Sequence, residues 1–463
     1  MTAAPSILTV ETPSLGDRSY LVHDGSVAFV VDPQRDFDRV LALAEQAGVR
    51  ITDVFETHMH NDYVTGGLAL AEQTGATYHV NAKDPVAFER HPVSDGDVVE
   101  VGASMQVRVL ATPGHTYTHL AFALESGGAA IAVFTGGSLL YGSTGRPDLL
   151  GPDHTDALVR HQYASAHRLA SELPEQTEIF PTHGFGSFCS ATQSDGTTTS
   201  TIGQEKRTNP ALTADEQTYV DSLLAGLDVW PAYYATMGSS NEAGPAAPDL
   251  TAPQQADPAE LRRRIEAGEW VVDLRNRTAF AAGHVAGTLN FGLDGPFATY
   301  LGWVIPFGTP LTLLGETPEQ VAEAQRELVR IGIDRLEAAA TGKPEDWAGS
   351  EPLKSAKAAT FADLAAVRRE RPVTVVDVRR KLEWNEGHVE GAIHLPIHDL
   401  VSRIGEVPAG GQVWVHCAAG YRAAAAASLL EAAGHDVVAV DEEFTKARES
   451  GLDIVTESQD ALV

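Results

Sequence analysis

The chain has 463 residues, 43% of them hydrophobic, and carries a net charge of −30 from 33 basic and 63 acidic side chains. That length exceeds one ordinary core and calls for about three domains of ~150 residues each. The acidic balance repels nucleic acid phosphates and anionic lipid headgroups, so neither is expected as a partner. Only two cysteines occur, Cys189 and Cys417, which excludes a secreted disulfide framework and points to a reducing, cytoplasmic compartment. No basic leader opens the chain, and no run approaches the ~18 apolar residues of a membrane span.

In chain order, the first half alternates strand and helix. Apolar runs at 20–22 and 27–31 read as strands, the second ending in Asp32-Pro33. Phe37, Val40, Leu41 and Ala44 recur at the helical period. Residues 51–55 read as a strand running straight into Thr57-His58-Met59-His60-Asn61-Asp62-Tyr63. Helical character returns over 65–74, two short strands cover 99–110, and another covers 130–134. A long amphipathic helix spans 155–173, and a strand at 178–180 leads to Pro181-Thr182-His183. Strands ending in polar, histidine-bearing loops, with helices between them, predict a layered α/β domain with its site on one rim.

Residues 238–258 are rich in Ala, Pro, Gly and Ser and read as a linker; 341–355 is a weaker break. Between and after these breaks lies an internal repeat. Val272-Asp273-Leu274-Arg275 matches Val376-Asp377-Val378-Arg379, and Gly283-His284-Val285-Ala286-Gly287 matches Gly387-His388-Val389-Glu390-Gly391, both at an offset of 104 residues. Two copies of one α/β unit follow from that. The expected domains are 1–245, 256–345 and 355–463.

The second copy carries a strand, then His416-Cys417-Ala418-Ala419-Gly420-Tyr421-Arg422, then an alanine-rich helix ending at Gly434. Small residues after Cys417 let the loop curl so that backbone N–H groups point at the sulfur. The helix N-terminus adds positive potential, and both favour a thiolate nucleophile. Arg422 is expected to offer a forked cation to substrate oxygens. In the first copy Gly315 and Gln320 stand at the positions of Cys417 and Arg422, so that copy is expected to be catalytically silent.

The Asp-Val-Arg strand end, the Gly-His-Val-X-Gly-Ala turn and the Cys-X-X-Gly-X-Arg loop resemble the rhodanese family over residues 355–453. The resemblance implies a sulfurtransferase in which Cys417 takes a sulfane sulfur, from thiosulfate or a low-molecular-weight thiol persulfide, and passes it to a thiol acceptor. Ala418, Ala419, Gly420 and Tyr421 would form the binding loop, and no cofactor is implied there.

His58, His60, His115 (in Thr112-Pro113-Gly114-His115-Thr116) and His183 each follow a strand, and four such histidines point to a metal more than to isolated packing. The pattern over residues 6–235 resembles the metallo-β-lactamase superfamily. Phe134-Thr135-Gly136, Gly145-Arg146-Pro147-Asp148 and Lys206-Arg207-Thr208-Asn209-Pro210 resemble its persulfide dioxygenase branch. That branch implies one mononuclear iron held by two histidines, here His58 and His115, and an aspartate. Two motif positions depart from it: Tyr63 stands where the superfamily has a histidine, and Gly137 where the branch has its aspartate. Too few ligands then remain for that iron set. A three-histidine iron or zinc site from His58, His60 and His115 is the other reading, with Asp62 or Tyr63 lending an oxygen and His183 nearby.

The expected architecture is therefore α/β: an αββα metallo-β-lactamase-like sandwich followed by two α/β rhodanese-like domains. The expected function is a sulfurtransferase fused to a dioxygenase-like domain with a degenerate metal centre. Three alternatives stand beside it: a bifunctional persulfide dioxygenase–sulfurtransferase, a non-catalytic persulfide-binding or scaffold protein, and, fitting least well, a thioester hydrolase. A homo-oligomer is compatible with each. Cys189 reads as a buried structural thiol or a sulfur relay, His119 as a supporting or packing group, and His284 and His388 as fold-forming.

Overall fold

The computed structural model describes residues 4–191 and 196–456. The ends of the first and third expected domains, 1–3 and 457–463, lie outside the described residues. The chain forms two compact units, residues up to Asp249 with Val329–Gly332, and Leu250–Leu328 with the chain from Ile333 onward.

The first unit is built on two six-stranded sheets. One runs Ser6–Thr12, Asp17–His23, Val27–Val31, Arg50–Phe55, Thr77–Asn81, His91–Val93 in spatial order, and the other Ser200–Thr201, Glu178–Pro181, Ala129–Gly136, Leu120–Ser126, Met105–Ala111, Val98–Val101. Strand alternation explains how they pack. Tyr20, Val22, Phe29, Val31 and Phe55 face the second sheet and meet Val107, Val109, Phe122 and Phe134 in one cluster. Their neighbours Leu21, Ala28, Val30 and Val54 face the other way, onto the helices Asp38–Ala47 and Gly67–Thr74. On the far side, Ala121, Ala123 and Val133 take the helices Pro152–Glu172 and Glu216–Gly226. The layers are helix, sheet, sheet, helix.

The Val27–Val31 strand is parallel to Arg50–Phe55, and Ala129–Gly136 is parallel to Glu178–Pro181. The loops after their C-terminal ends therefore share a rim in each sheet. Asp32 joins the two rims. It sits at φ 51, the one non-glycine residue with positive φ among the described residues. Its Oδ1 accepts the Thr57 N–H at 2.7 Å, and its Oδ2 accepts the hydroxyls of Thr57 at 2.8 Å and of Thr182.

The second unit holds two parallel sheets of the same strand order. Leu289–Asn290, Trp270–Asp273, Leu311–Gly315, Leu336–Thr341 form one, and Ile393–His394, Thr374–Asp377, Gln412–His416, Asp436–Val440 repeat it with Lys357–Ala359 added at the edge. Even that edge has a counterpart, a single bridge from Gln255 to Ala339. In both copies the repeated arginine folds onto its aspartate and reaches the turn glycine: Arg275 onto Asp273 and the Gly283 carbonyl, Arg379 onto Asp377 and the Gly387 carbonyl. His284 and His388 donate through Nδ1 to the carbonyls of Phe280 and Trp384 and stack on those rings. Both histidines thus shape the turn.

Two breaks read from composition hold regular structure. The helix Tyr234–Ala243 runs into the 238–258 stretch, and Pro344–Ala348, with Trp347 buried, lies inside 341–355. Among the described residues no helix is long and apolar enough to cross a membrane.

Replacing Asp32 with Ala strands three buried donors and leaves a positive-φ backbone without its preferred side chain. We expect a loss of about 3–5 kcal/mol from the first unit, since removing one member of a buried charged network costs that much. Urea denaturation followed by circular dichroism, against Asp32→Asn as the milder change, checks it.

Candidate functional sites

The rim of the first unit gathers the histidines. Those at 58, 115 and 183 offer ligand atoms that all lie within 4.8 Å of one another, and each residue is buried. Their hydrogen bonds fix which nitrogen is bare. The Thr57 hydroxyl donates to Asp32, so its oxygen accepts from His58 Nδ1 at 2.9 Å and leaves His58 Nε2 as an acceptor. His115 Nδ1 donates to the Arg146 carbonyl at 2.8 Å, and its Nε2 is buried without a hydrogen-bond partner. His183 Nδ1 faces Asp17 at 2.9 Å and Asp62 at 3.0 Å, and its Nε2 points at His58 Nε2, 3.5 Å away. A carboxylate behind a histidine is the usual way to orient a metal ligand.

Burial pushes the His58 imidazole well below its ordinary value and His115 down to about 3, with the neighbouring histidines adding to the effect. Both are neutral and available. For His183 burial works against the charge, yet Asp62 and Asp17 prevail and raise it to about 10. The two carboxylates divide the work: burial and Asp62 raise Asp17 to about 7, while His183 holds Asp62 well below the carboxylate range despite burial.

His60 has a second set of neighbours. Its Nε2 lies 2.9 Å from the Tyr63 hydroxyl and 3.3 Å from both Asp32 and Glu56. Burial opposes charge on this ring, but Asp32 and Glu56 raise it to about 9. His60 Nδ1, 3.9 Å from Asp62 Oδ1, is buried and unpaired, as is that oxygen. The grouping therefore differs from the set His58, His60, His115: His183 takes the third place, and His60 stands beside it with Asp62. Tyr63, fully buried, stacks on His60 and has no bare oxygen aimed at the cluster.

Two groupings with donor atoms close enough for one cation share His183: His58 with His115, and His60 with Asp62. Gly137 adds nothing to either. A Cβ built there would lie 2.5 Å from His115 Cδ2, so the imidazole occupies the room a side chain would need. His119 is satisfied on both nitrogens, by Thr112 and the Gly137 N–H, and serves packing. Arg146 is bound to Asp148 and to the carbonyls of Phe188 and Asp228, so that motif shapes the loop over His115. Cys189 is buried, and burial raises its thiol well above the ordinary value, which keeps it protonated.

Asn241, from the stretch that reads as linker, donates to the carbonyls of His60 and Tyr63 and accepts from the Thr65 N–H, each at 2.9 Å. It clamps the histidine loop. Its only signal in the sequence is one polar residue in a helical run.

The second site is the cysteine loop. The strand Gln412–His416 delivers Cys417, and the helix Tyr421–Ala432 begins four residues later. Gly420, at φ 94, turns its N–H back to Cys417 Sγ at 3.1 Å. The sulfur thus sits at a helix N-terminus with a backbone donor on it. The Ala418 carbonyl is held by the Phe444 N–H. Arg422 does not present a free fork. Its Nη1 and Nη2 each donate to Glu383 at 2.7 Å, so the guanidinium fixes the loop rather than offering its donors to substrate oxygens. In the first copy, Leu314 pairs with Asp273 as His416 pairs with Asp377. That places Gly315 at the cysteine position, and the Gln320 side chain folds back to accept the Glu316 N–H.

Two outcomes follow. Burial raises Glu383, but Arg422 outweighs it and brings the carboxyl down from 4.5 to about 2. A lowered carboxylate contributes its stability above its ordinary value and loses it as pH falls through the folded one. The melting-temperature gap between the native chain and Glu383→Gln should be full above about pH 4.5 and close towards pH 2, as pH-dependent calorimetry would show. At the histidine cluster, elemental analysis of protein purified without chelator should find a divalent metal. The His58→Ala/His115→Ala double variant should lose about nine-tenths of it, and Tyr63→Phe should keep it.

A metallo-beta-lactamase superfamily model matches residues 17–183, and a rhodanese-like domain model matches residues 360–449. The chain is 32% identical over 240 residues to a hydroxyacylglutathione hydrolase of Jannaschia sp., covering 47% of itself and 90% of that protein. It spans 57% of the length of other hydroxyacylglutathione hydrolases it matches. It is 28% identical over 208 residues to a mitochondrial persulfide dioxygenase of Bos taurus, covering 44% of itself and 72% of the relative. Among solved structures, a metallo-beta-lactamase from Staphylococcus aureus subsp. aureus COL superposes with a TM-score of 0.66 at 26% identity, over 74% of this chain and 100% of that one. The chain belongs to the metallo-β-lactamase superfamily and carries a rhodanese-like domain at its C-terminal end.

Proposed function

We propose that this chain is an enzyme of sulfur metabolism that moves a sulfane sulfur through Cys417. The observation that carries the proposal is the Gly420 N–H directed at Cys417 Sγ at the start of the Tyr421–Ala432 helix. That arrangement suits a thiolate and the anionic persulfide that replaces it.

In the first half-reaction the Cys417 thiolate attacks the outer sulfur of thiosulfate or of a thiol persulfide. The new S–S bond forms as the donor's S–S bond breaks, and its electron pair leaves with sulfite or with the donor thiolate. In the second, an acceptor thiolate attacks the outer sulfur of the Cys417 persulfide, and the pair returns to Cys417. No oxidant or reductant is consumed. Arg422, locked to Glu383, keeps the loop in shape while the N–H groups receive the charge.

In the first unit, His58, His115 and His183 would hold a divalent cation, with Asp62 and His60 Nδ1 beside them. When bound, such an ion supplies a Lewis acid for a sulfur or oxygen ligand. The chain's own part is to keep His58 and His115 neutral with Nε2 as the acceptor nitrogen, and to orient His183 through Asp17 and Asp62. These converging nitrogens favour a second reading, in which the first unit oxidises or captures a thiol persulfide, as the name of the Bos taurus relative suggests.

Thiocyanate formation from thiosulfate and cyanide tests the main reading. Cys417→Ser should reduce it to background, roughly a thousandfold or more, because the covalent carrier is gone. Unchanged activity in that variant would sink the proposal. Oxygen uptake with a thiol persulfide, lost in the His58→Ala/His115→Ala variant, tests the second.

A further inference from the structure

The cysteine-less copy does more than pack against its partner copy, because its contacts converge on the cysteine loop. Arg277, which opens the helix Arg277–Ala282 of that copy, donates through Nε to Asp441 Oδ1 at 2.6 Å. This ion pair lies directly on Gly420: a Cβ there would stand 2.0 Å from Asp441 Oδ1 and 3.0 Å from Arg277 Nε. Next in the chain, Tyr421 donates its hydroxyl to the Gly292 carbonyl at 2.9 Å, and its ring fills the space that a side chain at Gly295 would need. Arg422 follows, its guanidinium carbon 5.9 Å from the centre of the Tyr300 ring. Three consecutive loop residues thus meet Arg277, Gly292 with Gly295, and Tyr300 of the first copy.

Physical need explains the convergence. Ala418, Ala419 and Gly420 bring almost no side chain with which to hold a loop, and Gly420 sits in a left-handed conformation that free glycine leaves readily. Its N–H reaches Cys417 Sγ only while that turn is kept. Phe444 ties the loop at Ala418, and the Arg277–Asp441 pair presses on it at Gly420. The pair is partly solvent-exposed, with side chains 32% and 24% accessible, so it contributes little to global stability. A close ion pair of low stability value set against a glycine that is otherwise free to turn is what a positioning device looks like.

We propose that the cysteine-less copy completes the sulfur-transfer site, with Arg277 as a positioning residue that holds Gly420 through Asp441. The proposal rests on Cys417 being the sulfur carrier, and its test separates the two claims.

The full chain is compared with Arg277→Gln, Arg277→Lys and Tyr421→Phe. Amide hydrogen exchange over residues 417–422 needs no sulfur donor. There Arg277→Gln should exchange about tenfold faster than the native chain, and Arg277→Lys should stay close to it. In sulfur transfer from thiosulfate to cyanide, Arg277→Gln should lower kcat about tenfold, with KM for thiosulfate within about twofold. Tyr421→Phe removes only the bond to Gly292 and should accelerate exchange by a smaller factor, which keeps the test usable if Arg277→Gln melts early. Native exchange and native kcat in Arg277→Gln would overturn the proposal. A raised KM with native kcat would also overturn it, because Arg277 would then bind the donor instead of the loop. If the native chain transfers no sulfur while Arg277→Gln still exchanges faster, the sulfurtransferase reading fails and the clamp stands.

Discussion

The buried Asp32 carboxylate is the constraint on which the first unit's site depends. It lies at the end of one strand and holds Thr57, two residues past a second, and Thr182, directly after a third. His58 and His183 are the next residues along the chain in each case. The two histidine loops leave two different sheets, and this carboxylate bonds to both. With it, His58 Nε2 and His183 Nε2 stand 3.5 Å apart. The carboxylate stays ionised in spite of its burial because His60, Thr182 and Thr57 bond to it. Burial of a charge at this cost is consistent with a site that must be rigid.

The same economy explains what the two departures from the family pattern do. Tyr63 fills the volume beside His60 and engages the ring nitrogen that faces Asp32 and Glu56, while the other nitrogen stays bare. Gly137 lets the His115 ring sit flat against the backbone, fixed from the other side by the Arg146 carbonyl. Neither change leaves a hole. Gly137 takes a carboxylate out of the donor set and Tyr63 takes out a nitrogen, a change in ligand type and number that bears on which metal is preferred.

In the second unit, one frame is used twice and carries a cysteine once. The Asp-X-Arg corner and the histidine-stacked turn are present in both copies with nearly the same bond lengths. These bonds stabilise a strand end and a turn whatever follows, so they are present with or without the cysteine. Where the second copy turns a glycine N–H onto sulfur, the first turns a glutamine side chain onto its own backbone. The loop without the cysteine is closed by its own residues. The cysteine loop, built from small ones, is steadied by residues from elsewhere.

Sequence alone determined the strand–helix alternation, the repeat, and the two kinds of chemistry, because periodicity and short motifs are local properties. The cysteine loop was legible almost whole, since its strand, loop and helix are contiguous from Gln412 to Ala432. Arg422's partner was not, because Glu383 is 39 residues away and nothing local marks it. The histidine cluster was legible as four residues but not as a grouping. Which three meet depends on Asp32 tying the Thr57 and Thr182 loops together, on Asp17 and Asp62 behind His183, and on the Arg146 carbonyl that turns His115 Nε2 inward. Asn241 read as linker because its clamp on His60 and Tyr63 spans about 180 residues. The tertiary structure decided these points for one reason: a side chain's protonation, tautomer and direction are set by whichever distant groups the fold places against it.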